Sequence, residues 1–383
     1  MQIPNRTYFI LLLLTIFGFG SLLVPRSELQ PTVGDLTRIG PYPEQDFGPN
    51  QPQRTFERRL FDVGARIGDY DRYYDVVVFG DSFALRYDDY HTAWPNHFVD
   101  LTSLSMLVLN ISKSTVEDLL ASPTFKSNPP KFLIYQTVER YAVRRGKNLR
   151  YIDGLTVDRP APAPRDRRPV VVKQNNHATV KQVRATTMKF LDKIVLQRDL
   201  NLRPIEALLG VSKELVHVLP AAAELPFSSK ERRYLLALTE DMTNKRLLTA
   251  VDVAEAAQGY EILRRAVESN GRTGFELMVF PDKSSVYAPY LEMAAQIPIV
   301  ISDLHTQVPS VDLYSEFRQA LAAGQIDLYM PNNSHTSNAG DRLAAVALLR
   351  RMISEERVRG CVEGNSACRE KLATSSSSGD SQP

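Results

Sequence analysis

Two cysteines and one tryptophan occur in a chain of 383 residues. Two thiols are too few for a disulfide framework, and no further ligands stand near them to complete a metal centre. Cys361 and Cys368 close a short loop near the carboxyl end and read most simply as one disulfide, which implies an oxidising compartment. No phosphate-binding glycine loop, metal-ligand spacing or internal repeat occurs, so neither metal nor cofactor is expected. No basic block interleaved with aromatics points to nucleic acid, and a net charge of +2 selects no class of partner. The remaining composition, 43% hydrophobic and 23% charged, is that of a globular protein. The length allows one large domain or a domain with a sizeable insertion.

Tyr8 to Val24 forms an uncharged run flanked by Arg6 and Arg26. It is just long enough to cross a bilayer. Val24-Pro25-Arg26 is a poor cleavage context, so residues 1–25 read as a cytoplasmic stub and uncleaved signal anchor, a cleaved signal peptide being the alternative. The bulk of the chain is then expected outside the cytoplasm.

Strand and helix patterns alternate from about Tyr73. Strands are expected at Asp75–Phe79, Met106–Leu109, Phe132–Tyr135 and Phe275–Phe280, with helices at Trp94–Leu101, Thr115–Leu120 and Val251–Asn270. This alternation predicts an α/β domain with a doubly wound parallel sheet. Residues 26–72, rich in Pro, Gln and Arg, read as a tether with some packed parts. The domain then comes in two pieces, 73–145 and 246–372, around an insertion at 146–245. That insertion opens with a proline-arginine loop and has helical apolar spacing at Ile205, Leu208 and Leu209. A serine-rich tail, 373–383, has nothing to bury and is expected to be disordered.

The chemistry concentrates in two places. In Asp75-Val-Val-Val-Phe-Gly80-Asp81-Ser82 a β-branched run stops at a glycine, and the serine lands where a strand ends and a helix begins. Free backbone N–H groups there favour negative charge, as an acyl-transfer nucleophile requires. An ordinary turn is the plain alternative. The second place is Pro331-Asn332-Asn333-Ser334-His335, a polar loop ahead of a terminal helix that Asp341 is expected to open as a cap. A serine after an early strand and a histidine in the last loop resemble the Gly-Asp-Ser-(Leu) esterases, the SGNH hydrolases, in which the histidine deprotonates the serine. Phe280-Pro281-Asp282-Lys283-Ser284-Ser285-Val286-Tyr287 and Thr92-Ala93-Trp94-Pro95-Asn96 are similar to the alginate O-acetyltransferase group of that superfamily. The resemblance covers roughly 75–144 and 276–351. It implies a flavodoxin-like three-layer fold and a periplasmic enzyme that acetylates an exported polysaccharide. It also implies a multi-pass membrane acyltransferase as acetyl donor.

The chain departs from that pattern in three ways. The alginate group places its Asp-x-His element before the serine, whereas His335 follows Ser82. Asparagines stand at 332 and 333 where an aspartate is expected. Asn333 could orient the imidazole but cannot supply a charge, and Asp341 is another available carboxylate. The usual glycine and asparagine oxyanion donors are also missing. Asp81, Asn110, Ser112, Gln136 and Arg140 are the candidates for holding substrate or oxyanion, while Glu139 and Arg140 equally suit a buried ion pair. The expected activity is therefore O-acetyl transfer through Ser82 and His335. A carbohydrate esterase using the same pair, and an inactive polysaccharide-binding or scaffold member, remain as alternatives.

Overall fold

Val76-Val77-Val78-Phe79-Gly80 is buried at every position, as a strand covered on both faces must be. The computed structural model describes residues 34–40, 42, 44–51, 55–86, 91–156 and 215–354, with Ile10, Leu12 and Thr15. The expected anchor as a span, the helical spacing at 205–209, both cysteines and the serine-rich tail lie outside the described residues. Among the described residues no helix is long and apolar enough to cross a membrane.

The strands are β1 (Asp62–Gly64), β2 (Val76–Gly80), β3 (Met106–Asn110), β4 (Phe132–Val138), β5 (Val216–Pro220), β6 (Tyr234–Leu238) and β7 (Gly274–Phe280). Five of them form one parallel sheet in the order β1-β3-β2-β4-β7. From central β2 the chain moves to one side for β3, then crosses back to the other side for β4 and β7. Such a reversal opens a crevice at the carboxyl ends of the strands, and Gly80 ends β2 there. Beyond β7, Val311 adds a single parallel bridge to Met278. β1 at the opposite edge lies inside the expected tether, so the sheet begins earlier than the sequence pattern suggests; three residues are too short to read as a strand.

The helices that matter most are α1 (Asp35–Ile39), α2 (Ser82–Leu85), α3 (Trp94–Thr102), α4 (Glu139–Asn148), α5 (Ala250–Glu268) and α6 (Asn338–Ser354). Alternate strand residues face opposite layers. Val76, Val78 and Ile134 pack with Trp94 and Phe98 of α3 and Leu348 of α6. Val77, Phe79 and Leu133 pack with Val143 of α4 and with Tyr260 and Leu263 of α5. The result is an α/β fold with helices on both faces of the sheet. α5 begins in a reciprocal cap: Thr249 Oγ1 accepts the Asp252 N–H, and Asp252 accepts the Thr249 N–H.

Two features lie outside this pattern. The described end of the insertion is an antiparallel β5–β6 hairpin, and its expected start at Gly146 falls inside α4. A small third cluster joins Leu36 and Phe47 of the tether to Val216 and Leu236 of that hairpin.

Glu139 and Arg140, read as an ion pair with each other, pair instead with different partners in one buried cluster. Arg140 bonds Asp241 at 3.1 Å and Asp282 at 2.8 Å. Lys245 bonds Asp282 at 2.9 Å and Glu139 at 3.3 Å. Glu139 also accepts the N–H groups of Asp282 and Val300, both at 2.9 Å. Burial, then the charge of Asp282, pushes Asp241 up to about 8. Removing one partner of such a cluster strands a buried charge. Lys245→Met should therefore destabilise the fold by about 3–5 kcal/mol, read as a lower urea midpoint at unchanged slope.

Candidate active site

Gly80 is followed by a turn that no larger residue could make without displacement. A Cβ there would lie 2.8 Å from Gln136 Oε1 and 2.9 Å from the Ala84 Cβ. Asp81 then caps α2, its carboxylate accepting the Phe83 N–H at 3.1 Å. The same carboxylate accepts from the Val138 N–H at 3.1 Å, Gln136 Nε2 at 3.0 Å and Arg145 at 2.7 Å. Gln136 Oε1 accepts the Asp81 N–H at 3.0 Å. Asp81 and both ends of the Gln136 amide thus fix the turn. Their expected place at the substrate or oxyanion goes to this positioning role, because a buried carboxylate must find donors. Ser82, the first residue of α2, is exposed.

His335 meets it from 253 residues away. His335 Nε2 lies 3.0 Å from Ser82 Oγ. Its Nδ1 lies 3.0 Å from Asn333 Oδ1, which also accepts the His335 backbone N–H at 3.0 Å. An acceptor at Nδ1 places the proton there and leaves Nε2 free to take the serine's proton. The ring rests on buried Phe83, with centroids 4.7 Å apart. Burial holds His335 below its usual 6.5, and Arg86 and Arg140 add to this, while Asp35 opposes it. The imidazole is therefore neutral at pH 7, as a general base must be.

The carboxylate facing His335 is Asp35, which no motif in the sequence marks. Its Oδ2 lies 3.7 Å from His335 Nδ1 and 2.5 Å from Ser334 Oγ, and its Oδ1 accepts the Ser334 N–H at 2.7 Å. Burial raises Asp35, but His335 and the two Ser334 hydrogen bonds outweigh it and hold the group at about 2. Asp35 lies 300 residues from His335, in a stretch with tether composition, so no spacing signal exists. The nearest hint is Gly34 before it. A Cβ on Gly34 would fall 2.0 Å from the Asn332 carbonyl oxygen.

The loop bearing His335 is clamped from two further directions. Lys283, fully buried, donates to the carbonyls of Met330, Pro331 and Asn333 at 2.9, 2.7 and 3.2 Å. Burial lowers it to about 7. Arg86, at a left-handed backbone position with φ 39°, bonds Asp341 at 2.9 Å and the Thr336 carbonyl at 2.6 Å. α6 starts at Asn338, and Asp341 lies in its first turn as a buried carboxylate bonded to Arg86 and Thr336.

The other expected residues fall as follows. Asn110 ends β3 opposite Gly80 and its oxygen accepts the Ser112 N–H at 2.8 Å, which fixes the carboxamide at the crevice edge. Ser112 is exposed beside it. Arg140 is committed to the buried charged cluster. Asn332 donates its side-chain amide to Glu44.

Two outcomes are expected from this geometry. Lys283→Met should remove three hydrogen bonds to the loop carbonyls and lower the reactivity of Ser82 toward an activated ester by about 10–100-fold. Ser82 reactivity should rise with pH and level off, with its midpoint below 6.5, because it needs the neutral imidazole; a pH profile of acylation checks this. Searches of protein-family models, curated proteins and solved structures find no match to this chain.

Proposed function

We propose that this chain is an SGNH-type serine acyltransferase that acetylates hydroxyl groups of an exported polysaccharide. The observation that carries the reading is the 3.0 Å approach of His335 Nε2 to an exposed Ser82 Oγ at the carboxyl edge of the central strand. The strand order supports it. Counting from β2, the sheet runs second-first-third-fourth, as in flavodoxin-like sheets whose sites lie at the carboxyl ends.

Ser82 Oγ attacks the acetyl carbonyl of the donor while His335 Nε2 takes its proton. The tetrahedral oxyanion collapses, the donor's leaving group departs with that proton, and acetyl-Ser82 remains. The Ser82 backbone N–H and the Asn110 carboxamide are the groups assigned to the oxyanion. In the second half, His335 takes a proton from a sugar hydroxyl, whose oxygen attacks the acetyl group. Ser82 leaves with its proton restored. Asn333 Oδ1, which also accepts the His335 backbone N–H, accepts the Nδ1 proton throughout.

The membrane anchor belongs to this reading through the uncharged run Tyr8 to Val24, and the periplasmic location and a membrane acyltransferase as donor through the resemblance in the motifs. The exposure of Ser82 favours one second reading, an esterase, since water reaches an open acyl-serine unless a bound acceptor excludes it.

Brief exposure of the chain to an activated acetyl ester should give one acetyl adduct by intact mass, absent in Ser82→Ala and His335→Ala. Added polysaccharide should then discharge the adduct faster than water. Discharge by water alone supports the esterase, and a wild-type protein without adduct removes both readings.

A further inference from the structure

The site has an orienting residue, Asn333, but no charge on its own loop. The only carboxylate paired with His335 among the described residues arrives on a separate segment. Residues 34–40 and 44–47 lie as a strap across the histidine loop. Leu36 N–H donates to the Asn332 carbonyl at 3.1 Å, and Ser334 N–H donates back to Asp35 at 2.7 Å. Glu44 accepts from Asn332 and from Thr37 Oγ1 at 2.5 Å, so the strap's two helical turns are tied together at the loop. Gly34 has no room for a side chain against Asn332.

The strap's apolar anchorage is separate from both main cores. Among the described residues, Leu36 and Phe47 cluster with Val216 and Leu236 of the β5–β6 hairpin, with Ile39, Tyr42, Val218 and Leu238 packed against them, in the small third cluster. Losing that cluster would leave both faces of the parallel sheet covered. A segment held by few apolar contacts opens at lower cost than the core it covers.

We propose that Asp35 supplies the negative charge of the catalytic triad, and that the strap carrying it docks and undocks as a unit, so that acyl transfer is fast only while the strap is seated. This rests on the serine-acyltransferase reading of the same site. Asp35 is a positioning residue: it acts through His335, stabilising the imidazolium that forms as Ser82 gives up its proton. Ser334 Oγ, which donates to Asp35 and lies 3.3 Å from His335 Nδ1, links the two. The other charges acting on His335 are Arg86 and Arg140, both unfavourable to an imidazolium, so Asp35 alone offsets them.

The test moves the carboxylate. In the full chain, Asp35→Asn should lower the second-order rate of Ser82 acylation by an activated acetyl ester about 10²-fold; the full triad loss is about 10⁴, and here Asn333 still holds the tautomer. It should also shift the acid limb of the pH profile downward, since Asp35 raises the His335 pKa. Adding Asn333→Asp should restore most of the rate and move the limb back up. Leu36→Ala, which touches no reacting group, should slow acylation about tenfold, and Asn333→Asp should rescue that variant too, because the charge then no longer depends on the strap. Hydrogen exchange supplies a readout free of catalysis: the Leu36 and Ser334 amides should exchange together, and faster than β2 amides. If they exchange only with global unfolding, or if Asn333→Asp rescues neither variant, the proposal fails even though Ser82 is acylated. If wild-type Ser82 takes no acetyl group while the strap amides open together, the acyltransferase reading fails instead.

Discussion

Everything at the crevice depends on one requirement, that the loop carrying His335 be held against Ser82 although neither sheet nor helix contains it. A loop exposes backbone carbonyls and N–H groups that must find partners when buried. Here they find them in side chains from three separate parts of the chain. Lys283 gathers three carbonyls from below β7. Arg86, just past α2, takes the Thr336 carbonyl. Asp35 and Glu44 close the outer side. The loop is thus as well fixed as a strand, by side-chain bonds where a strand would use its neighbours' backbone.

The same economy of groups explains why the residues around Ser82 do so little chemistry of their own. Asp81 accepts four hydrogen bonds and Gln136 answers it at both ends of its amide. A nucleophile on a tight turn gains precision from such a frame, since small misplacements at the reacting atoms cost large factors in rate. Behind it, the cluster of Glu139, Arg140, Lys245 and Asp282 joins the end of β4 to the end of β7. Lys283 follows directly on Asp282. The buried ion pairs and the histidine clamp are therefore consecutive residues of one turn.

Much of this was legible in the sequence. The strands β2, β3, β4 and β7 show themselves as short apolar runs, and their ends fall within three residues of the expected ones. Ser82, His335 and Asn333 could be picked out because each follows a local pattern: an apolar run ending at glycine, or a polar loop before a helical repeat. Position near the carboxyl end of β4 suggests Gln136 and Arg140 for substrate or oxyanion. The identity of a hydrogen-bond partner is a property of the folded neighbourhood, and there Gln136 bonds Asp81 while Arg140 bonds Asp241 and Asp282.

The sequence by itself determined the layered α/β scaffold and the two residues that it brings together, because hydrophobic period and turn chemistry are local and act wherever the chain goes. Only the tertiary structure decided where the negative charge comes from. Asp35 and His335 are separated by 300 residues and share no periodicity. They meet because Gly34 lets the strap's backbone come close to Asn332, and because Leu36 and Phe47 find a hairpin to bury against. Contacts of that kind depend on shape and space at the point of meeting, and these exist only once the chain has folded.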